Sequence, residues 1–424
     1  MFAHLWYALK RPTHFIKTGL LEGVPAELRE HFPARKLKII AITGTDGKTT
    51  SSTLLYQVMR SAGLRVGLIS TVAAYIGSEQ LDTGFHVTTP GPRQLQHFLR
   101  QMVQEGIEYL VLETTSQGIY QHRLWGVHPW IAGLTNITPE HLDYHVTYQN
   151  YVLAKAELLK RAQVTVINAD DEMSFSKLRK ILLGRSYLTY SLTDVLPKKV
   201  EQALLKRFTQ AYNWSNARLV YRIAQILHIT DDAFIRGIHD FQGVPGRMEK
   251  VADLNGAEVI VDFAHTPNGL QEALTALHER LRDREQGGKL IAVFGCAGLR
   301  DVQKRPIMGR TAAELADVAI FTAEDPRTED AWAIIEQMKS NLGELHAKVL
   351  SIVDRGEAVE FALSHFAKPG NIIGIFGKGH EQSMCYGKTE YPWNDARAVR
   401  AYIERTKGPT NVKPSKKQRA RKGK

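Results

Sequence analysis

An α/β fold built on mostly parallel sheets is predicted for this 424-residue chain. Three observations predict it: short β-branched runs alternate with helical stretches, the alternation restarts in the second half, and a glycine-rich turn follows the first run. The first series reads "LKIIAIT" (37–43), "VGLIS" (66–70), "YLVLE" (109–113), "IAGLTN" (131–136) and "VTVIN" (164–168). Strands that are apolar throughout, each followed by an amphipathic helix, form parallel sheets covered on both faces. After "HDFQGVPGRMEKV" a second series begins: "AEVIVDFAH" (257–265), "LIAVFG" (290–295), "ADVAIFT" (316–322), "AKVLSIVD" (347–354) and "NIIGIFG" (371–377). The expected division is a short helical segment at 1–36, a central domain at 37–245, a C-terminal domain at 246–407 and a disordered basic tail at 408–424. The segment 1–36 should hold one or two short helices, too few residues for a domain of their own. Pro245-Gly246 reads either as a hinge or as a simple turn.

Composition narrows the classes. No run approaches the ~18 apolar residues of a membrane span, and "MFAHLWYALKRPTHFIK" lacks the uninterrupted apolar stretch of a signal peptide, so a cytoplasmic protein is expected. Cys296 and Cys385 are the only cysteines and stand in no metal-ligand spacing, which favours buried thiols over a disulfide framework or a zinc site. The net charge is +11, but residues 413–424 ("KPSKKQRARKGK") carry seven Lys or Arg and no acid, leaving +4 for the rest. No aromatic residues are interleaved there for base stacking, so nucleic acid is not an expected partner.

The turn after the first run, "GTDGKTT" (44–50), is a phosphate-binding loop in a shortened form. The longer G-x-x-x-x-G-K-[ST] pattern would need a glycine five residues before Gly47, where Ile42 stands. The strand-to-helix setting should turn the N–H groups of Gly44, Thr45, Asp46, Gly47 and Lys48 toward phosphates, together with the following helix N-terminus. Lys48 would neutralise the β- and γ-phosphates of ATP, Thr49 would bring a hydroxyl to Mg²⁺, and Thr50 completes the nucleotide-binding run. On this ground the first domain reads as a P-loop ATPase domain, and the second as a Rossmann-like α/β domain.

Two further stretches draw notice. In "LETTSQGIYQHR" (112–123) Glu113 closes a strand at the sheet's carboxyl edge, where a carboxylate suits Mg²⁺. In "TNITPEHLDYHVTYQNYVLAKAELL" (135–159) His141, Asp143 and His145 alternate after a strand and Lys155 follows on a helix. Taken alone, the histidines are loop residues and Lys155 belongs to a solvated helical face.

The motifs "GTDGKTT", "LETTSQGIYQHR", "TNITPEHLDYH", "YVLAKAELL", "GVPGRME", "VDFAHTPNGL", "GCAGLRDVQKRPIMG", "EDPRTED" and "FGKGHEQ" occur in this order. In that order they resemble the Mur ligases, from about Leu37 to about Tyr402, and among these the ligases that add the third residue of the peptidoglycan stem peptide. The resemblance implies that ATP phosphorylates a carboxylate, that an amine attacks the acyl phosphate, and that an amide forms. It implies two Mg²⁺ sites, with Thr49 and Glu113 at one and His141 at the other. Lys155 would carry a carbamate derived from CO₂ that supports the metal site, which inverts the reading of Lys155 alone.

For ATP the resemblance adds Asn213 and Asn216 on the adenine side, and Arg247 and Asp262 for phosphate and ribose, with closure of two domains around the nucleotide. Read without the family, Asn216 is a helix cap and Asp262 a strand-end turn. For a muramoyl-peptide acceptor it adds Thr88, Thr89, Ser116, Gln121 and Arg123. For diaminopimelate it adds Arg300, Glu324, Asp325, Pro326, Arg327, Gly377 and Glu381, with Arg327 on the distal carboxylate and Glu381 on the distal ammonium. The family has Asn where Asp325 stands, and Asn more often than Asp at position 46. A lysine-adding or poly-γ-glutamyl ligase, or a non-catalytic ATP-binding partner, stays open as an alternative. Family members carry an N-terminal UDP-gripping domain of about a hundred residues, against 36 residues before the first strand here. The partners implied are small molecules, and a monomer is expected.

Overall fold

The computed structural model describes residues 2–81, 88–208, 211–282, 287–345 and 348–406. The tail expected at 408–424 lies outside these residues. The chain divides into two compact units, Met1–Glu249 with Leu299–Lys304, and Lys250–Gly298 with Arg305–Lys424.

In the first unit eight strands form one sheet: β1 (Lys38–Thr43), β2 (Val66–Ile69), β3 (Ala74–Ile76), β4 (Glu79–Leu81), β5 (Tyr109–Glu113), β6 (Ile131–Leu134), β7 (Val164–Asn168) and β8 (Leu188–Tyr190). Their order is β4-β3-β2-β5-β1-β6-β7-β8. Neighbours from β2 through β8 pair in parallel, and β3 and β4 add an antiparallel edge. Each apolar run of the first series becomes a strand. β3, β4 and β8 have three residues each, too few to show a period in sequence.

The continuous apolar runs are explained by burial on both faces. In β1, Ile39 and Ala41 enter one core while Ile40 and Ile42 enter the other, and β5 divides Leu110 and Leu112 from Val111 in the same way. Helices Pro92–Gln104 and Tyr148–Arg161 close the first core with Leu95, Leu99, Met102, Val152 and Leu159. Helices Lys48–Ser61, Ala211–Ile226 and Asp231–Asp240 close the second with Leu54, Val58, Leu219, Ile223 and Phe234. Burying one such side chain stabilises by ~1.5–3 kcal/mol.

The leading residues form more helix than expected: Phe2–His14, a wide-turned stretch Phe15–Gly23, Val24–Arg29 and a tight turn at Pro33–Lys36. Gly19 and Gly23 lie against Trp125, whose atoms occupy the space a β-carbon would need at either position. Val244 to Arg247 make a turn: the Arg247 N–H donates to the Val244 carbonyl at 3.0 Å, with Gly246 at φ 66°.

In the second unit β9 (Glu249–Leu254), β10 (Ala257–Asp262), β11 (Leu290–Phe294), β12 (Val318–Phe321), β13 (Lys348–Ser351) and β14 (Ile372–Phe376) form a sheet. Its order is β13-β12-β11-β14-β10-β9, parallel from β13 to β10. β15 (Ser383–Tyr386) and β16 (Thr389–Pro392) form an antiparallel hairpin. β9 and this hairpin are additions to the five expected runs.

Arg355 ties the second unit together. Its guanidinium, 1% exposed, meets the fully buried Asp395 carboxylate through Nε at 2.8 Å and Nη2 at 2.7 Å. It also donates to the carbonyls of Ala323 at 3.3 Å and Phe376 at 2.8 Å, so one cation spans the ends of two strands and a helix. Asp395→Asn keeps the shape but strips the counter-charge, and should cost ~3–5 kcal/mol in urea unfolding. A loss below ~1 kcal/mol would show that the pair is not the tie proposed.

Candidate active site

The loops of interest gather at the carboxyl ends of the first sheet's parallel strands, where open α/β sheets bind ligands. Gly47 takes φ 78° at the head of the helix Lys48–Ser61, a conformation suited to glycine. A β-carbon there would also run into the Asn216 side-chain amide. The loop is fastened from the β6 side. The Thr45 N–H donates to the Asn136 carbonyl at 2.9 Å, the Asp46 N–H to Asn136 Oδ1 at 3.0 Å, and the Thr135 hydroxyl to the Asp46 carbonyl at 2.6 Å. Thr45 Oγ1 lies 3.0 Å from the Tyr151 hydroxyl and accepts the Thr138 N–H at 3.0 Å.

These bonds correct one expectation. The N–H groups of Thr45 and Asp46 are engaged within the protein by Asn136, whereas the N–H groups of the first helical turn have no intrahelical acceptor. Lys48 folds back to donate to the Thr45 carbonyl at 2.6 Å. Burial pushes its pKa below the ordinary lysine value, against the pull of Glu113 and Asp46.

Glu113, 1% exposed, accepts three hydrogen bonds. Oε1 takes the hydroxyls of Thr49 at 2.8 Å and Thr71 at 2.9 Å, and Oε2 takes the Thr71 N–H at 2.9 Å. Thr71 Oγ1 also lies 3.0 Å from the Thr88 hydroxyl. A buried hydroxyl beside a buried carboxylate is a hard-oxygen pair of the kind Mg²⁺ uses sparingly, its remaining positions going to water and nucleotide phosphate. Among the described residues no three of His, Cys, Asp or Glu are grouped to enclose a metal by themselves.

Lys155 is 1% exposed on the helix Tyr148–Arg161, so the solvated-face reading fails. Its Nζ donates to the Gly44 carbonyl at 2.5 Å and stands 4.6 Å from the Tyr151 ring centroid. Burial first, then Lys48, drives its pKa well below the ordinary value, with Asp46 opposing. His141 adopts φ 56° at the head of the short helix Leu142–His145, and its imidazole is pushed down to about 3 by burial, then by Lys48 and Lys155. His145 is fully buried rather than a loop residue. Its Nε2 lies 2.9 Å from Ser116 Oγ and its Nδ1 3.1 Å from the Tyr7 hydroxyl. Burial, then Lys155, lowers its pKa to about 3. The side chain of Asp143 is outside the described set. Val146, next in line, holds φ 68°, a strained conformation for a β-branched residue.

The residues expected for the acceptor form a connected wall. Thr89 Oγ1 accepts the Thr115 N–H at 3.0 Å and its carbonyl accepts Arg123 Nη1 at 3.0 Å. Arg123 Nε donates to Gln121 Oε1, and Gln121 Nε2 to the Tyr144 hydroxyl, each at 2.8 Å. Ser116 is 2% exposed with its hydroxyl turned to His145, so it stands behind the wall. Half-buried Thr115, absent from the expected set, meets buried Thr89 hydroxyl to hydroxyl at 3.1 Å. Asn213 and Asn216 share a face of the helix Ala211–Ile226. Asn216 lies inside that helix and is not a cap, and its Oδ1 accepts the Ser51 hydroxyl at 3.2 Å. Arg247 sits in the turn at Val244, and exposed Arg300 belongs to the Leu299–Lys304 segment of the first unit.

The second unit gathers its own group at its sheet's carboxyl edge. The Gly377 N–H donates to the Asp262 carbonyl at 3.1 Å, and Asp262 Oδ1 accepts the Ala264 N–H at 2.7 Å, a strand-end turn. Gly377, at φ 106°, faces the Glu324 carboxylate. Asp325 and Arg327 flank Pro326 with φ 40° and 52°. Asp325 Oδ1 accepts Lys378 Nζ at 2.8 Å and the Cys385 N–H at 2.9 Å, while Oδ2 is 4.0 Å from Arg327 Nη2. Lys378 also pairs with Glu381. Burial opposes its charge, but Glu381 and Asp325 outweigh burial and raise its pKa. Arg327 Nη1 donates to the Gly298 carbonyl at 2.7 Å.

Residues 42–223 match the Mur ligase middle domain, and residues 246–379 the Mur ligase glutamate ligase domain. Over 370 residues the chain is 36% identical to a UDP-N-acetylmuramoyl-L-alanyl-D-glutamate--2,6-diaminopimelate ligase of Clostridium botulinum, covering 82% of this chain and 74% of that protein. The chain belongs to the Mur ligase family. A UDP-N-acetylmuramyl-tripeptide synthetase of Deinococcus radiodurans is 37% identical over 408 residues, 90% of this Mur ligase and 81% of its relative. A solved UDP-N-acetylmuramoyl-L-alanyl-D-glutamate--2,6-diaminopimelate ligase superposes with a TM-score of 0.54 at 30% identity, over 88% of this chain and 79% of that one. As a Mur ligase the protein is an ATP- and Mg²⁺-using acid–amino-acid ligase with an α/β fold. No described helix is long and apolar enough to cross a membrane.

Sequence reading missed Thr71, Thr115, Asn136, Tyr151 and Tyr7. Thr71 and Asn136 follow strands β2 and β6, so the rule that ligands bind beyond strand carboxyl ends could have found them. Tyr7 carries no local signal. His145 offers a stability test of this Mur ligase. A histidine lowered from 6.5 to about 3 in the folded state stabilises fully above pH 6.5, and as pH falls from 6.5 toward 3 the unfolded chain takes up the proton that the folded one refuses. Urea unfolding between pH 7 and pH 4 should therefore lose up to ~1.4 kcal/mol per pH unit on this account. His145→Gln should remove that share, and an unchanged slope would show that His145 titrates normally.

Proposed function

We propose that this Mur ligase joins meso-diaminopimelate to UDP-N-acetylmuramoyl-L-alanyl-D-glutamate in peptidoglycan synthesis. The acceptor carboxylate attacks the γ-phosphorus of ATP and releases ADP. The amine then displaces phosphate from the acyl phosphate, losing a proton as the amide forms. The observation that carries the reading is the set of Lys48, the Thr49–Glu113 pair and buried Lys155 around one loop, which a silent ATP-binding module has no need to maintain.

Two anions must meet in the first step, so charge neutralisation is the central demand. Lys48 would lie along the β- and γ-phosphates. Thr49 and Glu113 would hold one Mg²⁺ and His141 a second; when bound, these ions neutralise charge on the phosphoryl oxygens. A low pKa favours the neutral amine at Lys155. That amine can form an N–C bond to CO₂ and release a proton, giving a carbamate oxygen ligand for the metal site. Asn213 and Asn216 would face adenine, with Arg247 for phosphate and Asp262 for ribose. Thr88, Thr89, Thr115, Gln121 and Arg123 would hold the muramoyl-peptide, with Ser116 behind them. Lys155→Ala should lower kcat at least ~100-fold, about 2.7 kcal/mol, with short carboxylic acids restoring part of it. Near-normal turnover in the alanine variant would refute the carbamate role.

For the amine substrate, the Asp325 carboxylate is neutralised chiefly by Lys378 and the Cys385 N–H, which favours an Arg327 guanidinium available to a distal carboxylate. Glu381 would take the distal ammonium only by sharing it with Lys378. Acceptor-dependent phosphate release should prefer meso-diaminopimelate over L-lysine at least ~10-fold, about 1.4 kcal/mol, because lysine leaves Arg327 without its anion. Arg327→Ala should erase most of that preference. Equal turnover with lysine would favour the lysine-adding alternative.

A further inference from the structure

We propose that Tyr7 is a positioning residue of this ligase: its hydroxyl holds His145 in the Nε2–H tautomer, and His145 in turn fixes the Ser116 turn that backs the acceptor wall. His145 is fully buried and has one partner on each ring nitrogen, the Tyr7 hydroxyl at 3.1 Å from Nδ1 and Ser116 Oγ at 2.9 Å from Nε2. A neutral imidazole carries one N–H, so the two partners take opposite roles. A phenol is a better donor than an alkyl alcohol, which makes Tyr7 the donor to Nδ1 and leaves Nε2–H to donate to Ser116. The reverse arrangement would turn the Tyr7 proton away from its acceptor among the described residues.

The helix that presents Tyr7 is docked by contacts that do not involve this hydroxyl. The Tyr7 ring stacks on Tyr120 with centroids 4.6 Å apart and planes at 24°. The Tyr120 hydroxyl donates to the Tyr7 carbonyl, Arg11 pairs with Glu157, and Lys10 stands 5.6 Å from the Tyr144 ring centroid. The ends of the relay reach the site at two places. Ser116 opens the turn between Thr115 and Gln121. The His145 ring also packs 5.2 Å from that of Tyr151, whose hydroxyl meets Thr45 of the phosphate loop.

The kinetic consequence rests on the acceptor role given to Thr89, Thr115, Gln121 and Arg123; the tautomer does not. Nitrogen NMR of the full chain with ¹⁵N-labelled histidine, the His145 signal identified by its loss in His145→Gln, should show the Nε2–H form in the substrate-free protein. Tyr7→Phe should shift it toward Nδ1–H or a mixture. The same variant should raise the acceptor KM about 3- to 10-fold, the size of one lost hydrogen bond, with kcat and the ATP KM changed by less than about twofold. In the His145→Gln background Tyr7→Phe should add nothing further, since the effect runs through the imidazole. An Nδ1–H wild type, a tautomer indifferent to Tyr7→Phe, or effects of the two substitutions that simply add would each overturn the proposal. Because the tautomer is read without substrate, a wrong acceptor assignment would appear as lost kinetics with the NMR result intact.

Discussion

The carboxylate of Glu113 is the constraint on which the first unit's site depends. A buried carboxylate is tolerated only when its oxygens are hydrogen-bonded, and its three donors come from the helix after β1 and the loop after β2. Three strand ends are thereby brought to one point. The loop after β6 completes the arrangement through Asn136 and Thr135, which hold the phosphate loop by its own backbone. The shortened loop is thus anchored from both sides. It has lost two residues of span, and two of its N–H groups are taken up by the anchoring.

Around this anchor lie two amines, half-buried Lys48 and buried Lys155, each folded onto a loop carbonyl. Lys48 lowers the basicity of Lys155 through space, and burial lowers both. A nucleotide triphosphate bound as proposed would reverse the balance for Lys48, because phosphate charge favours the ammonium. Lys155 has the Tyr151 ring beneath it and Asp46 pulling toward the ammonium, but burial is the largest influence and favours the neutral, nucleophilic amine. The second unit handles its cations differently. Arg355 and Lys378 keep full charge because carboxylates were built in beside them. One unit holds amines poised for an incoming anion, the other holds cations already neutralised.

That difference explains what could be read in advance. Strands buried on both faces advertise themselves as apolar runs, and every such run is a strand. Strands of three residues, such as β3, β4 and β8, have no period to display. The motif loops were legible because glycine, hydroxyl and acidic residues at strand ends have few structural uses there. Lys155 was illegible without a resemblance: "YVLAKAELL" looks like any amphipathic helix, and only the fold, which leaves Lys155 1% exposed, shows that the position faces inward. Asn216 misled as a cap for a similar reason, since its partners Gly47 and Ser51 are remote in sequence.

Asp325 shows how far a single substitution can be judged from its local motif. Beside Arg327 in sequence, its charge suggests competition for the guanidinium. In the fold the two residues flank Pro326 in left-handed conformations, which sends their side chains to different partners. Arg327 reaches the Gly298 carbonyl, while Asp325 reaches a lysine 53 positions away, at Lys378. The residual approach of 4.0 Å to Arg327 is a weak contact beside the 2.8 Å pair with Lys378. An acid at this position then changes the electrostatics mainly under the site: Lys378, already paired with Glu381, gains a second counter-charge. Glu381 therefore shares Lys378 with Asp325, and the single ammonium divides its charge between two carboxylates.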